Sequence, residues 1–184
     1  MRNVVLFIAM SLDGYIADRQ GGVSWLVGED ADADMPDSYG LFVQNVDTVI
    51  MGWNTYHQIV TELSPDKWVY NGLKSYVVTH RSELQKDDVC FTSESPEELV
   101  TRLRQEEGKD IWVCGGADIV RQLLQSGLID MFHISIIPML LGDGIRLFDT
   151  LENPDVVSLQ LIGAQHYNGI SELVYKRKNK SDIK

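Results

Sequence analysis

Three stretches of this 184-residue chain pass from an apolar run with strand character into residues suited to holding an anion. TVIM is followed by Gly52-Trp53-Asn54-Thr55, YVV by Thr79-His80-Arg81-Ser82, and IWVC by Gly115-Gly116-Ala117-Asp118. The first and third open segments of helical spacing, whose leading N–H groups lack intrahelical partners and attract negative charge. The second offers hydroxyls with an arginine. Taken singly, a glycine pair reads as a tight turn and Arg81 as a solvated surface charge. Taken together, the three suit a dinucleotide, with two bridging phosphates and a third on the ribose within the grip of Arg81.

Other chemistries are excluded by what the chain lacks. His57, His80, His133 and His166 are scattered without the short spacing of a metal site, so structural or surface roles are expected for each. There is no P-loop, no GxSxG elbow and no zinc-deaminase signature. Cys90 and Cys114 lie apart without CxxC spacing, which fits free thiols in a cytoplasmic protein. The formal net charge of −11 argues against a general nucleic-acid or anionic-membrane binder. An anionic ligand must therefore be held by local groups.

The elements that position these residues follow from apolar period. Runs at 4–10, 46–51, 75–79, 111–114 and 131–138 are short, β-branched and bounded by turn residues, and helices are expected near 37–45, 54–61, 96–107 and 117–126. Ser95, Pro96 and Glu97 form a helix start. Such alternation gives an α/β domain with a mostly parallel sheet. The stretch VVSLQLIGAQHYNGISELVYKRK has two longer strands around Asn168-Gly169, so an antiparallel hairpin closes the sheet. One domain over 1–178 is expected, with a frayed polar tail at 179–184. The run from Val4 to Met10 is too short to span a bilayer and reads as a buried first strand.

These residues carry a resemblance. VIMGWNTYHQI, SYVVTHR and DIWVCGGADIVRQLL are similar, in order and approximate spacing, to the VIMGRxTxxSI, NIVLTR and EIFVIGGAEIYxxxL motifs of the dihydrofolate reductase superfamily. The resemblance implies that family's three-layer fold with helices on both faces of a mixed sheet, NADPH as cofactor, a cis peptide at the double glycine, and hydride transfer to a C=N or C=O bond. It makes Ala9 and Ile16 walls of the nicotinamide pocket. Gly52, Trp53, Asn54 and Thr55 become the first phosphate contact, Thr79, His80 and Arg81 face the adenosine ribose, and Gly115, Gly116, Ala117, Asp118 and Ile119 line the pyrophosphate. Trp53 stands where the family usually has arginine, which weakens the preference for NADPH over NADH.

Within the superfamily, SLDGYIAD and SIIPMLLGDGIRLF resemble the reductase half of the bifunctional riboflavin-biosynthesis deaminase/reductase, which reduces the ribose of an aminopyrimidine ribosyl phosphate. Tyr15 departs from that branch, whose members tend to carry a basic residue there. The arginine with which folate enzymes hold the glutamate carboxylate aligns with Leu73, beside Lys74. By resemblance Trp25 and Asp30 match a tryptophan and the following proton-delivering acid; the acidic run EDADADMPD equally fits a solvated loop. Ser135 matches a threonine of the pterin site or is an ordinary strand residue. Asp13, and the loop glycines Gly142 and Gly144 near Arg146, are further substrate contacts; a surface turn accounts for those glycines as well.

The resulting expectation is an NADPH-dependent reductase of a small heterocycle or its ribosyl group, acting as a cytoplasmic homodimer. The apolar segment from Met131 to Leu141 fits either the core or the dimer contact. True dihydrofolate reductase activity and a non-catalytic nucleotide-binding protein are the alternatives.

Overall fold

The computed structural model describes residues 1–30, 32–33, 36–82, 88–149 and 157–178. The elements are β1 (Val4–Ser11), β2 (Tyr15–Ala17), α1 (Ser38–Val43), β3 (Val46–Gly52), α2 (Trp53–Gln58), β4 (Lys74–Val78), β5 (Val89–Thr92) and α3 (Pro96–Leu103). They continue as β6 (Asp110–Gly115), α4 (Ala117–Gln125), β7 (Met131–Ile137), β8 (Ile145–Arg146), β9 (Leu159–Tyr167) and β10 (Ile170–Arg177). A π-helical turn, Ile59–Leu63, extends α2. The polar tail expected at 179–184 lies outside the described residues.

One eight-stranded sheet runs in the order β5-β4-β3-β6-β1-β7-β10-β9, and β2 with β8 forms a separate ribbon. Every pair from β5 to β7 is parallel, whereas β10 is antiparallel to both β7 and β9. The expected mixed sheet with its closing hairpin is what forms. Because β6 inserts between β3 and β1, the ends of β3, β6 and β1 lie side by side, at the kind of crevice where open α/β sheets bind ligands.

Both faces are covered. Leu99, Val100 and Leu103 of α3 and Ile119, Val120 and Leu123 of α4 pack with Val4, Leu6, Ile111, Val113, Phe132 and Ile134 on one face. Phe42, Val43, Tyr56 and Ile59, from α1, α2 and its π-helical extension, pack with Val49, Met51, Val77 and Trp112 on the other. The alternation along each strand is what separates the two sets. Each fully buried leucine or isoleucine contributes roughly 1.5–3 kcal/mol relative to exposure.

Local differences from the sequence expectation have simple causes. α3 stops at Leu103 rather than 107, its backbone turning through Gln105 N–H to Arg102 O and Glu106 N–H to Leu103 O. β2, β5 and β8 are two to four residues long, too short for a period-2 signal. β7 is paired on both sides and buries Phe132, Ile134 and Ile137, which gives the strand its expected core role.

Candidate active site

The residues at the ends of β3 and β6 meet. A side chain added to Gly52 would touch Ile119 at 3.4 Å, and one added to Gly116 would touch the Thr55 hydroxyl at 3.5 Å. Gly115 has φ +131°, a backbone state that side-chain-bearing residues rarely adopt, and its peptide bond to Gly116 is cis, as the resemblance implied. Glycine backbone therefore lies between the starts of α2 and α4, with Gly115 buried and Gly52 and Gly116 partly exposed.

The way these helices begin is informative. α1 and α3 satisfy their leading N–H groups with their own side chains: Asp37 accepts from Gly40, and Ser95 with Glu98 forms a capping box. α2 and α4 start on Gly52 and Gly116 and have no side-chain cap. Ala117, Asp118 and Ile119 begin α4 with these donors uncovered, and the Asp118 carboxylate is drawn along its own helix to Arg121 and Gln122. A ligand's phosphate oxygens would fit such a donor set.

Beside this cleft, at the end of β4, Thr79 is buried and its hydroxyl accepts the Arg81 N–H at 3.1 Å. His80 and Arg81 are exposed. The Arg81 guanidinium lies 4.8 Å from the Trp53 ring, which also contacts Tyr56, His57 and Phe91. Trp53 thus carries Arg81 on its face, an arrangement worth roughly 0.5–1 kcal/mol. Asn54 is exposed on the first turn of α2.

On the α1 side of the sheet, Ala9, Ser135, Glu172 and Gln165 form one row across β1, β7, β10 and β9. Glu172 is only 3% exposed, and it accepts from His133 Nε2 at 2.8 Å, Gln165 Nε2 at 2.7 Å and the Tyr167 hydroxyl at 2.7 Å. Burial opposes ionisation of Glu172, but hydrogen bonds from Tyr167, His133 and Gln165 outweigh it and hold the carboxyl below its ordinary value. Burial raises the Tyr167 phenol, and the Glu172 carboxylate adds to that. Toward the double glycine, burial pushes the Cys114 thiol up to about 11 against the pull of the Tyr70 hydroxyl, which lies 3.3 Å from its sulfur.

Sequence reasoning placed Ser135 here and missed Glu172, Tyr167 and His133. A glutamate and a histidine at inward positions of ISELVYK and MFHISII carried the signal, because an unpaired charge rarely occupies a sheet face packed by a helix.

The remaining expected residues are held as follows. Ile16 packs on the α3/α4 side, opposite the face that carries Ser135. Asp30 is exposed; its backbone exchanges hydrogen bonds with the Asn168 side chain, and its carboxylate accepts from the Asp32 N–H. Trp25 donates to Gly22 O at 3.1 Å within its own loop. Asp13 accepts from the Ser11 hydroxyl and the Leu141 and Gly142 N–H groups, tying the SLDG and LLGDG loops together. Those bonds, the Ser11 one foremost, hold its carboxyl down to about 2. Gly142 borders a shallow depression of about 400 Å³ with Asp18, Arg19, Gln20, Leu141 and Asp143. Gly144 has φ +145° and a side chain there would lie 2.2 Å from Ala17 O, which lets β8 approach β2. Arg146 of that ribbon covers the Tyr15 ring at 4.6 Å and donates to its hydroxyl at 2.9 Å.

Among the described residues no helix is long and apolar enough to cross a membrane, and no cluster of three or more potential metal ligands occurs.

Residues 2–171 match the family model described as the RibD C-terminal domain. An uncharacterized protein of Bacillus subtilis (strain 168), YwjB, is 37% identical over 179 residues, covering 96% of this chain and 98% of that one. A putative riboflavin biosynthesis protein from Shewanella sp. PV-4 superposes with a TM-score of 0.82 at 28% identity, covering 97% of this chain and all of that one. A diaminohydroxyphosphoribosylaminopyrimidine deaminase/5-amino-6-(5-phosphoribosylamino)uracil reductase from Thermotoga maritima shares the fold, with a TM-score of 0.66 at 14% identity over 96% of this chain and 57% of that one.

Proposed function

Because the chain belongs to the RibD C-terminal domain family, a reductase domain, we propose that it is an NADPH-dependent reductase acting on an aminopyrimidine ribosyl phosphate or a close heterocyclic relative. The observation that carries this reading is the meeting of Gly52, Thr55, Gly116 and Ile119 between two uncapped helix starts, with Arg81 alongside. Bare backbone, free N–H donors and a hydroxyl suit a pyrophosphate, and a guanidinium suits a ribose phosphate.

When bound, the reduced nicotinamide supplies the hydride. In this reading the N–H groups at the start of α4 hold the pyrophosphate, Arg81 neutralises the ribose phosphate, and Ala9 and Gly115 bound the nicotinamide pocket. The Ala9–Ser135 row receives the pyrimidine ring, and the hydride goes to C1 of the ribosyl group that the ring carries. Asp30, pinned to the residue after Tyr167, admits the proton at the mouth of the pocket. A homodimer and a cytoplasmic location belong to the same proposal and are checked by light scattering and cell fractionation.

Dihydrofolate is the weaker substrate. Leu73, where a folate enzyme has its carboxylate-binding arginine, is buried in the core, and the Lys74 ammonium lies 5.2 Å from the Tyr76 ring. The test follows NADPH and NADH absorbance in parallel with dihydrofolate and with 5-amino-6-(5-phosphoribosylamino)uracil. Oxidation of NADPH with the pyrimidine, and little with dihydrofolate, is expected. Rapid turnover of dihydrofolate would replace this proposal with the folate one.

A further inference from the structure

The two edges of the main sheet are unlike. β5 closes one with four residues, Val89–Thr92, whereas β9 closes the other with nine, Leu159–Tyr167. An edge strand offers unpaired N–H and C=O groups, and proteins ordinarily guard a long one with charged side chains or proline. β9 has neither guard: no Asp, Glu, Lys, Arg or Pro lies between Asp155 and Glu172, the longest run without a charged residue in a chain that is 23% charged. Gln160, Leu161, Ile162, Ala164, Gln165 and His166 are exposed, Leu161 at 51% and Ile162 at 50%. The register along β10 passes from Val174–Gly163 to Tyr175–Leu161 and leaves Ile162 unmatched, so the bulge turns out an apolar side chain rather than a charge.

We propose that β9 is the contact by which two copies of the chain join, pairing antiparallel with the β9 of the second copy about a two-fold axis so that the two sheets become one. Charge argues for a copy rather than a different protein. A copy brings the same net charge of −11, so two copies meet best where neither presents acids, and a two-fold axis sets like residues of the two strands near each other. An uncharged strand is what such self-pairing requires, whereas a basic partner would be met by exposed acids, which β9 lacks. Closure argues the same way. Joining β9 to the β5 of the next copy would repeat head to tail without end and match nine residues with four, whereas β9 on β9 closes after two. Leu161 and Ile162 lose water in the pairing, and the outward amides gain partners. The proposal rests on the homodimer in the functional reading, to which it assigns a surface, and is independent of the reaction. β9 lies three strands from β1, so the opening between Gly52 and Gly116 stays clear.

The test is light scattering across concentration on the wild-type protein, Ile162→Lys, Ala164→Lys and Leu63→Lys, the last adding the same charge at an exposed leucine on the π-helical turn after α2. The wild type is expected to be a dimer at about 10 μM, the two β9 variants to dimerise about tenfold or more weakly, and Leu63→Lys to match the wild type. Thermal melts establish which variants are folded. Hydrogen exchange read by NMR on the wild-type dimer needs no variant: the amides of residues 159–167 that face away from β10 should exchange slowly, at the pace of those that pair with it. Fast exchange at those amides, or folded β9 variants that dimerise like the wild type, overturns the β9 assignment and leaves the homodimer standing. A wild-type protein that stays monomeric at about 100 μM overturns both. NADPH oxidation, followed alongside, decides the reductase reading separately.

Discussion

In the proposed nucleotide site the choice between NADPH and NADH turns on Arg81, which is exposed and whose guanidinium rests on Trp53. Arg81→Ala should weaken NADPH binding by about tenfold or more and leave NADH within twofold, since a charge-assisted hydrogen bond contributes about 1.5–3 kcal/mol. Calorimetric titration with both nucleotides checks this. For Asp30, proposed to admit the proton, Asp30→Asn should lower turnover on the order of 100-fold with nucleotide affinity nearly intact; unchanged turnover would remove Asp30 from proton delivery. Asp13 makes a pH prediction. Its carboxyl sits near 2 in the folded chain against an ordinary 3.8, so the ionised form stabilises the loop contact above about pH 4. That contribution is lost as pH falls from 3.8 toward 2, and Asp13→Asn should flatten the acid limb of the stability profile over this interval. What the sequence did not disclose at this scale is partnership. Glu172 and His133 lie 39 positions apart, and only the β7–β10 register brings them together.

Elements built on capping and period were legible, and those built on contact were not. Ser95-Pro96 and the spacing after Gly116 placed α3 and α4 because each carries its own start signal and a continuous apolar stripe. The Asn168-Gly169 turn placed the hairpin for a similar local reason. The β2–β8 ribbon depends instead on Gly144 allowing Ala17 O to come within 2.2 Å of where a side chain would stand. No local pattern encodes that approach. Gly144→Ala should therefore cost about 1–3 kcal/mol and separate the ribbon, seen as earlier hydrogen exchange at Leu147, whose N–H donates to Gly14 O. Ser95→Ala, which removes a cap far from the cleft, should cost about 1 kcal/mol and lower Tm by roughly 2–4 °C without changing nucleotide affinity.

The whole molecule carries a net charge of −11, so binding of the proposed anionic cofactor would depend on a few oriented donors rather than on the general field. Insertion of β6 between β3 and β1 gathers those donors, since it puts Gly52, Thr55 and Gly116 on one opening although they are distant in sequence. The three strand-end motifs foretold this convergence because each marks a strand-to-helix passage. The polar row on the α1 face, which needed the sheet order, they did not foretell. Equilibrium titration of the intact chain with NADPH, read by tryptophan fluorescence beside the same titration of Arg81→Ala, tests the central claim most directly. The account predicts saturable binding with Kd below about 1 mM, weakened in the variant. Absence of saturation at that concentration, or equal affinity in the two proteins, would contradict it.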